Sequence, residues 1–126
     1  MNSSILIIDI DESFVNKCKE HLEGLGIDVM VSSDGVDGLN KARETMPGLV
    51  LLDITLPFLD GYHICKLLKG DERYKSTPVV FISSTEEPDD ILNSKRVGGD
   101  LFLRKPIDIQ HLTNELIALL SPVAMA

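Results

Sequence analysis

The sequence contains little cysteine and no hydrophobic run long enough for a membrane span. Cys18 and Cys65 lie far apart, with no CxxC spacing and no histidine partner, so we predict two buried thiols rather than a metal or redox site. No apolar stretch reaches the roughly 20 residues that cross a bilayer. The N-terminus also lacks the basic and apolar segments of a signal peptide. We therefore expect a cytoplasmic domain with no membrane association.

Basic residues are also scarce. Twelve Lys and Arg stand against twenty Asp and Glu, which gives a formal net charge of −8. This charge repels nucleic acid and anionic membranes at long range and suits a cation or a basic partner, so nucleic-acid binding is not expected. The 126 residues fit one domain of ordinary size. We assign residues 1–121 to that domain and residues 122–126 to a flexible C-terminal tail.

The most informative stretch is an apolar run that ends in a carboxylate. Residues 49–52 are all apolar, Asp53 follows, and Pro57 and Gly61 then break the pattern. Such a run is too short for a helix and does not alternate, which predicts a strand buried on both faces. The next helix begins only near Asp60, so Asp53 has no helix to cap. It ends a central strand, where open parallel sheets place ligand chemistry.

Strand and helix patterns alternate five times along the chain. Strands are predicted at residues 4–9, 27–32, 49–53, 78–83 and 101–103, and helices start near Phe14, Asp34, Tyr62, Pro88 and Asp108. Residues 27–32 alternate apolar with polar, which is typical of a strand near a sheet edge. These features predict a three-layer α/β sandwich of the flavodoxin-like, doubly wound kind, with a five-stranded parallel sheet in the order 2-1-3-4-5.

Apolar spacing also predicts which helical side chains are buried. The second helix carries four apolar residues at helical spacing, expected on one buried face: Val36, Leu39, Ala42 and Met46. The three histidines show no ligand spacing and are expected at the surface: His21, His63 and His111.

Polar side chains follow four of the five predicted strands. They are Asp9 with Asp11 and Glu12, Asp53, Ser83 with Ser84, and Lys105. Because the carboxyl ends of parallel strands share one edge of the sheet, these groups should converge. Carboxylates, hydroxyls and an ammonium are what a site for a divalent cation and a phosphoryl group requires.

On these residues, residues 4–121 resemble the receiver domain of two-component response regulators. The pair Lys105-Pro106 and the loop at residues 56–61 (Leu-Pro-Phe-Leu-Asp-Gly) are also similar to that family. The resemblance implies that Asp53 is the phosphoacceptor and that Pro106 follows a cis peptide bond.

The same resemblance implies the remaining site roles. Mg²⁺ would be held by Asp9, Asp53 and the backbone carbonyl of Thr55. Apart from the resemblance, Asp11 is a further candidate if the chain stays extended past Asp9, because residues two apart in a strand point the same way. The phosphoryl group and the conformational switch would involve Ser83, Ser84, Lys105 and Phe102.

Two positions depart from the family pattern. Ile10 replaces the second acid of the metal-binding pair, so a weakened Mg²⁺ site is expected. Phe102 stands where the family commonly has a tyrosine, and it keeps the ring without the phenolic hydroxyl.

The resemblance implies a signalling phosphoprotein rather than an enzyme. Asp53 would take a phosphoryl group from a phosphohistidine on a sensor histidine kinase or on a phosphotransfer protein of a phosphorelay. Self-catalysed phosphotransfer and autodephosphorylation would be its only reactions. The resulting switch would act on an output domain or protein partner at the face formed by helix 4, strand 5 and helix 5.

Two alternatives remain open at this stage. Ile10 is compatible with a receiver-like interaction module that works without phosphorylation. The segment from Asp9 to Ser13 also resembles the DxDx(S/T) motif of haloacid dehalogenase-like phosphatases, with Asp9 as nucleophile and Asp11 as acid. Against the phosphatase, no final acidic motif follows Lys105 and no cap insertion follows the first strand.

Overall fold

The computed structural model describes residues 4–120 and contains five strands and five helices in strict alternation. The elements are β1 (Ser4–Ile8), α1 (Glu12–Gly24), β2 (Asp28–Ser32), α2 (Gly35–Thr45), β3 (Leu49–Asp53), α3 (Gly61–Lys69), β4 (Val79–Ser83), α4 (Pro88–Arg96), β5 (Leu101–Arg104) and α5 (Ile109–Leu120). All strand pairs are parallel, and the order is β2-β1-β3-β4-β5. The predicted topology is therefore confirmed. The tail assigned to residues 122–126 lies outside the described residues.

The sheet is buried on both faces because its three central strands, β1, β3 and β4, are apolar except for one terminal residue each. Alternate residues of one strand point to opposite faces, and two clusters result. One cluster joins Ile5, Ile7, Leu49 and Leu51 to α1 and α5. The other joins Leu6, Ile8, Val50 and Leu52 to α2 and α3. This arrangement confirms the three-layer sandwich.

Aspartates begin most of the helices by accepting backbone hydrogen bonds. The Asp34 carboxylate accepts from the Asp37 N–H at 2.7 Å and caps α2, and Asp108 accepts from the His111 N–H at 3.1 Å at the start of α5. Asp60 caps α3 by accepting from the His63 N–H at 3.0 Å. Because Asp60 fills that role, Asp53 is left without a capping function, as the sequence predicted.

The buried face of α2 differs from the prediction. Leu39 and Ala42 are buried, but Val36 and Met46 are about half exposed, at 49% and 48%. Gly35 and Gly38 are also buried, and a Cβ on Gly38 would press against the Ile8 side chain. Apolar periodicity missed this close approach, since glycine does not register as a hydrophobic residue.

Both cysteines are buried, as predicted. Burial raises the pKa of Cys18 to about 12 and that of Cys65 to about 11, so both remain thiols at neutral pH. His63 and His111 are exposed, as predicted, whereas His21 is only partly exposed and its Nε2 is enclosed. Within residues 4–120, no helix is both long and apolar enough to cross a bilayer.

Candidate functional site

The carboxyl ends of the strands bring the predicted site residues to one edge of the sheet. Ile8 pairs with Leu52, so Asp9 and Asp53 leave neighbouring strands at the same level. Asp53 in turn pairs with Ile82 on β4, directly before Ser83. Parallel strands in register, rather than local sequence, therefore place Asp53 between Asp9 and Ser83.

Lys105 lies at the centre of this group. Its Nζ is 2.8 Å from Asp9 Oδ2, 3.7 Å from Asp11 Oδ2 and 3.8 Å from Asp53 Oδ2. The Lys105 side chain is only 14% exposed and that of Asp9 is fully buried, so this pair interacts with little screening by water. The ammonium also lies 4.5 Å from the centroid of the Phe14 ring, within the range of a cation–π contact. The Lys105 ammonium therefore forms ion pairs with three carboxylates.

Asp9 is fixed more firmly than the other acids. Its Oδ1 accepts a hydrogen bond from the Asp11 N–H at 2.8 Å. Its Oδ2 is buried and makes no well-directed hydrogen bond, although the Lys105 ammonium is close. A buried carboxylate oxygen without a full hydrogen-bond set is costly. Asp9 is therefore suited to a further cation.

Asp11 has a structural task that the sequence did not reveal. Its Oδ1 accepts a hydrogen bond from the Phe14 N–H at 3.2 Å and caps α1. Only Oδ2 remains free to face Lys105. Asp11 itself is extended, as the N-cap of α1, and the helix begins at the next residue.

Asp53 combines partial burial with a crowded charge environment. Its side chain is 14% exposed, and its Oδ1 accepts a hydrogen bond from the Thr55 N–H at 3.2 Å. Burial and the nearby Asp9 charge raise the pKa of Asp53 to about 6, against the opposing effects of the Thr55 N–H and Lys105. The carboxylate is therefore ionised at neutral pH, but at an energetic cost.

Gly61 allows α3 to start close to this carboxylate. The Gly61 N–H donates to the Ile54 carbonyl at 2.9 Å, and a Cβ at this position would overlap the Asp53 carbonyl oxygen. A larger residue would push α3 away from the end of β3. The glycine therefore supports the position of Asp53.

Asp11, Asp53 and Lys105 open onto a cleft of about 690 Å³, whereas Asp9 faces a neighbouring one. Asp53, Thr55, Ser84 and Lys105 line it together with an apolar wall that includes Ile10, Phe14 and Ile107. Ser83 also lines the cleft, but it is buried, and its Oγ accepts a hydrogen bond from the Thr85 N–H at 3.1 Å. Glu12 lies outside this cleft, in a neighbouring one with Asp9 and Asp37.

Three further predicted residues have defined places. The Lys105-Pro106 peptide bond is cis, as predicted. Phe102 is half-buried on β5 and packs against the cluster beneath α2 and α3. Ile10 is 55% exposed and supplies no oxygen to the site. Among residues 4–120, no group of three or more His, Cys, Asp or Glu side chains is arranged to hold a metal.

Sequence reasoning missed several residues that contact the predicted site. The sequence pattern places Phe14 only near the start of the first helix, and nothing in it shows that the ring contacts Lys105. Thr85, Asp90 and Tyr62 form a hydrogen-bond network beside Ser83. Thr85 follows Ser83-Ser84 in the sequence and could have been suspected, but Tyr62 and Asp90 are 28 residues apart.

Comparison with known proteins gives a consistent result. A family model described as Response regulator receiver domain matches residues 5–117. Protein PilG of Pseudomonas aeruginosa is 34% identical over 114 residues, which cover 90% of this chain and 84% of PilG. The chain spans about half the length of the next curated relatives that it matches.

Solved structures share the fold. The signal receiver domain of a signal transduction histidine kinase from Syntrophus aciditrophicus has a TM-score of 0.88 and 29% identity, with 96% of this chain and 92% of that chain covered. The receiver domain of sensor histidine kinase PA1611 from Pseudomonas aeruginosa has a TM-score of 0.85 at 22% identity, with 95% and 98% covered. That second structure contains a magnesium ion coordinated in its active site cleft.

Proposed function

Because the chain belongs to the response regulator receiver domain family, we propose that Asp53 is the residue that accepts the phosphoryl group. A phosphoacceptor signalling role follows from family membership and from the relationship to PilG. Receiver domains are signalling modules rather than conventional enzymes. The observation that carries the assignment is the position of Asp53, which ends the central strand, opens to the cleft and faces Lys105 at 3.8 Å.

The chemistry needs a nucleophile and compensation of negative charge. An Asp53 oxygen attacks the phosphorus of a phosphohistidine on the partner, the new O–P bond forms as the P–N bond breaks, and the leaving nitrogen keeps the electron pair and takes a proton from solvent. Lys105 offsets charge on the transferring oxygens. The product is an acyl phosphate on Asp53, and a later attack of water would return the carboxylate.

Ser83 is the proposed reader of that phosphate. Its Oγ accepts from the Thr85 N–H, which leaves the hydroxyl proton to donate to a phosphoryl oxygen. Ser84 is exposed at the mouth of the same cleft, and we assign it a secondary contact with the phosphoryl group.

The residues present fit a weak Mg²⁺ site. The buried Asp9 Oδ2 lacks a well-directed hydrogen bond, and Asp9 and Asp53 leave adjacent strands. Mg²⁺ commonly uses one or two carboxylates and keeps several waters, so a cluster of three acids is not required. We propose Asp9, Asp53 and the Thr55 carbonyl as its ligands, with Asp11 limited by its capping role and Ile10 contributing nothing. When bound, the ion would neutralise charge at the phosphoryl oxygens.

The family interacts with histidine kinases and with output domains, and we propose the face of α4, β5 and α5 as the output surface. Leu92 on α4 is about half exposed. A cleft of about 320 Å³ between α4 and β5 is lined by Ile91, Lys95, Leu101 and Phe102, among others. Phe102 therefore connects this surface with the sheet that carries the site. We also propose that this domain acts in the cytoplasm and does not bind nucleic acid, in keeping with its net charge of −8.

The test is labelling by a small phosphodonor. Acetyl phosphate with Mg²⁺ should add one phosphoryl group to the wild-type chain, which mass spectrometry detects, and Asp53→Asn should remain unlabelled. Asp11→Asn is the matched control, since it removes a neighbouring acid and should keep the label. A labelled Asp53→Asn protein would overturn the assignment.

The alternatives predict different outcomes of the same test. Labelling that persists in Asp53→Asn but is lost when Asp9 is replaced would favour the phosphatase-like chemistry. Asp9 is buried against Lys105, however, and the family match favours a receiver. No labelling and no response to beryllofluoride would favour an interaction module that works without phosphate.

A further inference from the structure

A chain of hydrogen bonds links Ser83 to α3 and α4. The Thr85 N–H donates to Ser83 Oγ at 3.1 Å, and the Thr85 hydroxyl donates to Asp90 Oδ2 at 2.7 Å. The Tyr62 hydroxyl donates to the other carboxylate oxygen, Asp90 Oδ1, at 2.6 Å. Asp90, on α4, is thus linked through Thr85 to Ser83 at the end of β4 and directly to Tyr62 on α3.

The far end of this chain is fixed in the core. The Tyr62 ring packs against Phe81, with ring centroids 5.7 Å apart, and Phe81 is fully buried. Burial raises the pKa of Tyr62, so its hydroxyl keeps the proton that it donates. The Tyr62 and Thr85 hydroxyls lower the pKa of Asp90, which therefore remains a carboxylate at neutral pH.

The first turn of α4 has few other attachments. Its N-cap residue Glu87 makes no side-chain capping bond, and Ser94 is the buried residue among 88–96. The Glu87 N–H instead donates to the Thr85 hydroxyl oxygen at 3.2 Å. With little apolar burial, the position of this helix end depends on the bonds made by Asp90 and Thr85.

We propose that Asp90 is a positioning residue that restrains Ser83 and the first turn of α4 in the phosphate-free arrangement. A movement of Ser83 toward a phosphorylated Asp53 must either break the Thr85 N–H bond or pull Thr85 away from Asp90. Tyr62 prevents Asp90 from following freely. The network therefore opposes the phosphate response, and its release transmits that response to α4. This inference rests on the proposed roles of Asp53 and Ser83.

A second explanation for Asp90 is helix electrostatics, because acids favour the first turn of any helix. Asp89 separates the two explanations. It lies in the same turn, one residue closer to the helix start, and its replacement by Asn changes the net charge equally. Only Asp90 bonds to Tyr62 and Thr85.

The first experiment measures the affinity for beryllofluoride in the presence of Mg²⁺. Asp90→Asn, Tyr62→Phe and Thr85→Val should each bind this phosphoryl mimic about three- to tenfold more tightly than wild type, since less restraint has to be overcome. The controls Asp89→Asn and Tyr74→Phe should bind as wild type does. Like Tyr62, Tyr74 donates a hydrogen bond through its hydroxyl, in this case to the Arg43 carbonyl at 3.2 Å and away from the site. Unchanged or weaker binding by Asp90→Asn would overturn the proposal.

The second experiment needs no phosphate. Amide hydrogen exchange at residues 85–91 should be faster in Asp90→Asn than in Asp89→Asn, while exchange in β1 and β3 stays unchanged. Equal exchange in the two variants would show that Asp90 acts only through the helix charge. If wild type failed to bind beryllofluoride, the proposed function would fail while the exchange comparison still decided the role of Asp90.

Discussion

Replacing Asp53 by asparagine should stabilise the Mg²⁺-free protein at neutral pH. Burial and the Asp9 charge raise the Asp53 pKa from its ordinary 3.8 to about 6. A rise of about two pKa units corresponds to up to about 3 kcal/mol of destabilisation of the native state once the group is ionised. Asparagine has nearly the same shape and no charge, so it removes this cost. Lys105 keeps its 2.8 Å contact with Asp9 in the variant.

The dependence on pH has a defined sign. Between about pH 4 and pH 6 the native state holds the Asp53 proton more tightly than the unfolded chain does. The contribution of Asp53 to stability therefore falls as pH rises through that window, and the loss is complete above the folded-state pKa. The advantage of Asp53→Asn should grow from near zero at about pH 3.5 to its full value at about pH 7.

Urea unfolding followed by circular dichroism, in the presence of a chelator, measures this difference across the pH range. Asp71→Asn is a control of opposite sign, because hydrogen bonds from Arg73 hold the pKa of Asp71 below its usual value. That variant should lose stability at neutral pH and recover toward wild type as pH falls. An advantage of Asp53→Asn that did not change with pH, or a loss of stability, would refute the electrostatic reasoning.

Three further substitutions test other parts of the site. Ile10→Asp should tighten Mg²⁺ binding, measured by calorimetry, and speed phosphorylation of Asp53, because it restores an acid beside Asp9; it should also destabilise the metal-free protein near neutral pH. Lys105→Ala should weaken the spectral response to beryllofluoride, since it removes a charge-assisted contact of about 1.5–3 kcal/mol. Phe102→Ala should leave Mg²⁺ affinity unchanged but reduce the beryllofluoride-induced shifts of α4 and α5 amides, followed by NMR.

Each of these expectations has a clear contrary result. Equal Mg²⁺ affinity of wild type and Ile10→Asp would mean that another group already fills the position, and no binding by either would favour a phosphate-independent module. A full spectral response in Lys105→Ala would remove the lysine from the readout. A fall in thermal stability of Phe102→Ala with normal α4 shifts would mean that the ring is only a core residue.

The fold was predictable because each element carries its own local signal. Continuous apolar runs predicted the buried strands, and aspartates such as Asp34 and Asp108 predicted where helices start. Once five strand and helix pairs alternate, parallel pairing and right-handed connections leave few topologies. The convergence of Asp9, Asp53 and Lys105 followed from that topology, since strand ends of a parallel sheet share one edge.

The sequence by itself therefore determined the order of the strands, the edge that carries the site and the acids gathered there. Tertiary structure alone decided how individual side chains share their partners. Asp11 was a candidate ligand from the sequence, but in the structure one of its oxygens caps α1. Val36 was predicted to be buried, but α2 packs on Ile8 through Gly38 and leaves Val36 half exposed. The contact between Tyr62 and Asp90 joins two helices, and no local period encodes it. Such contacts depend on how closely elements far apart in the chain approach one another, which patterns of single residues do not specify.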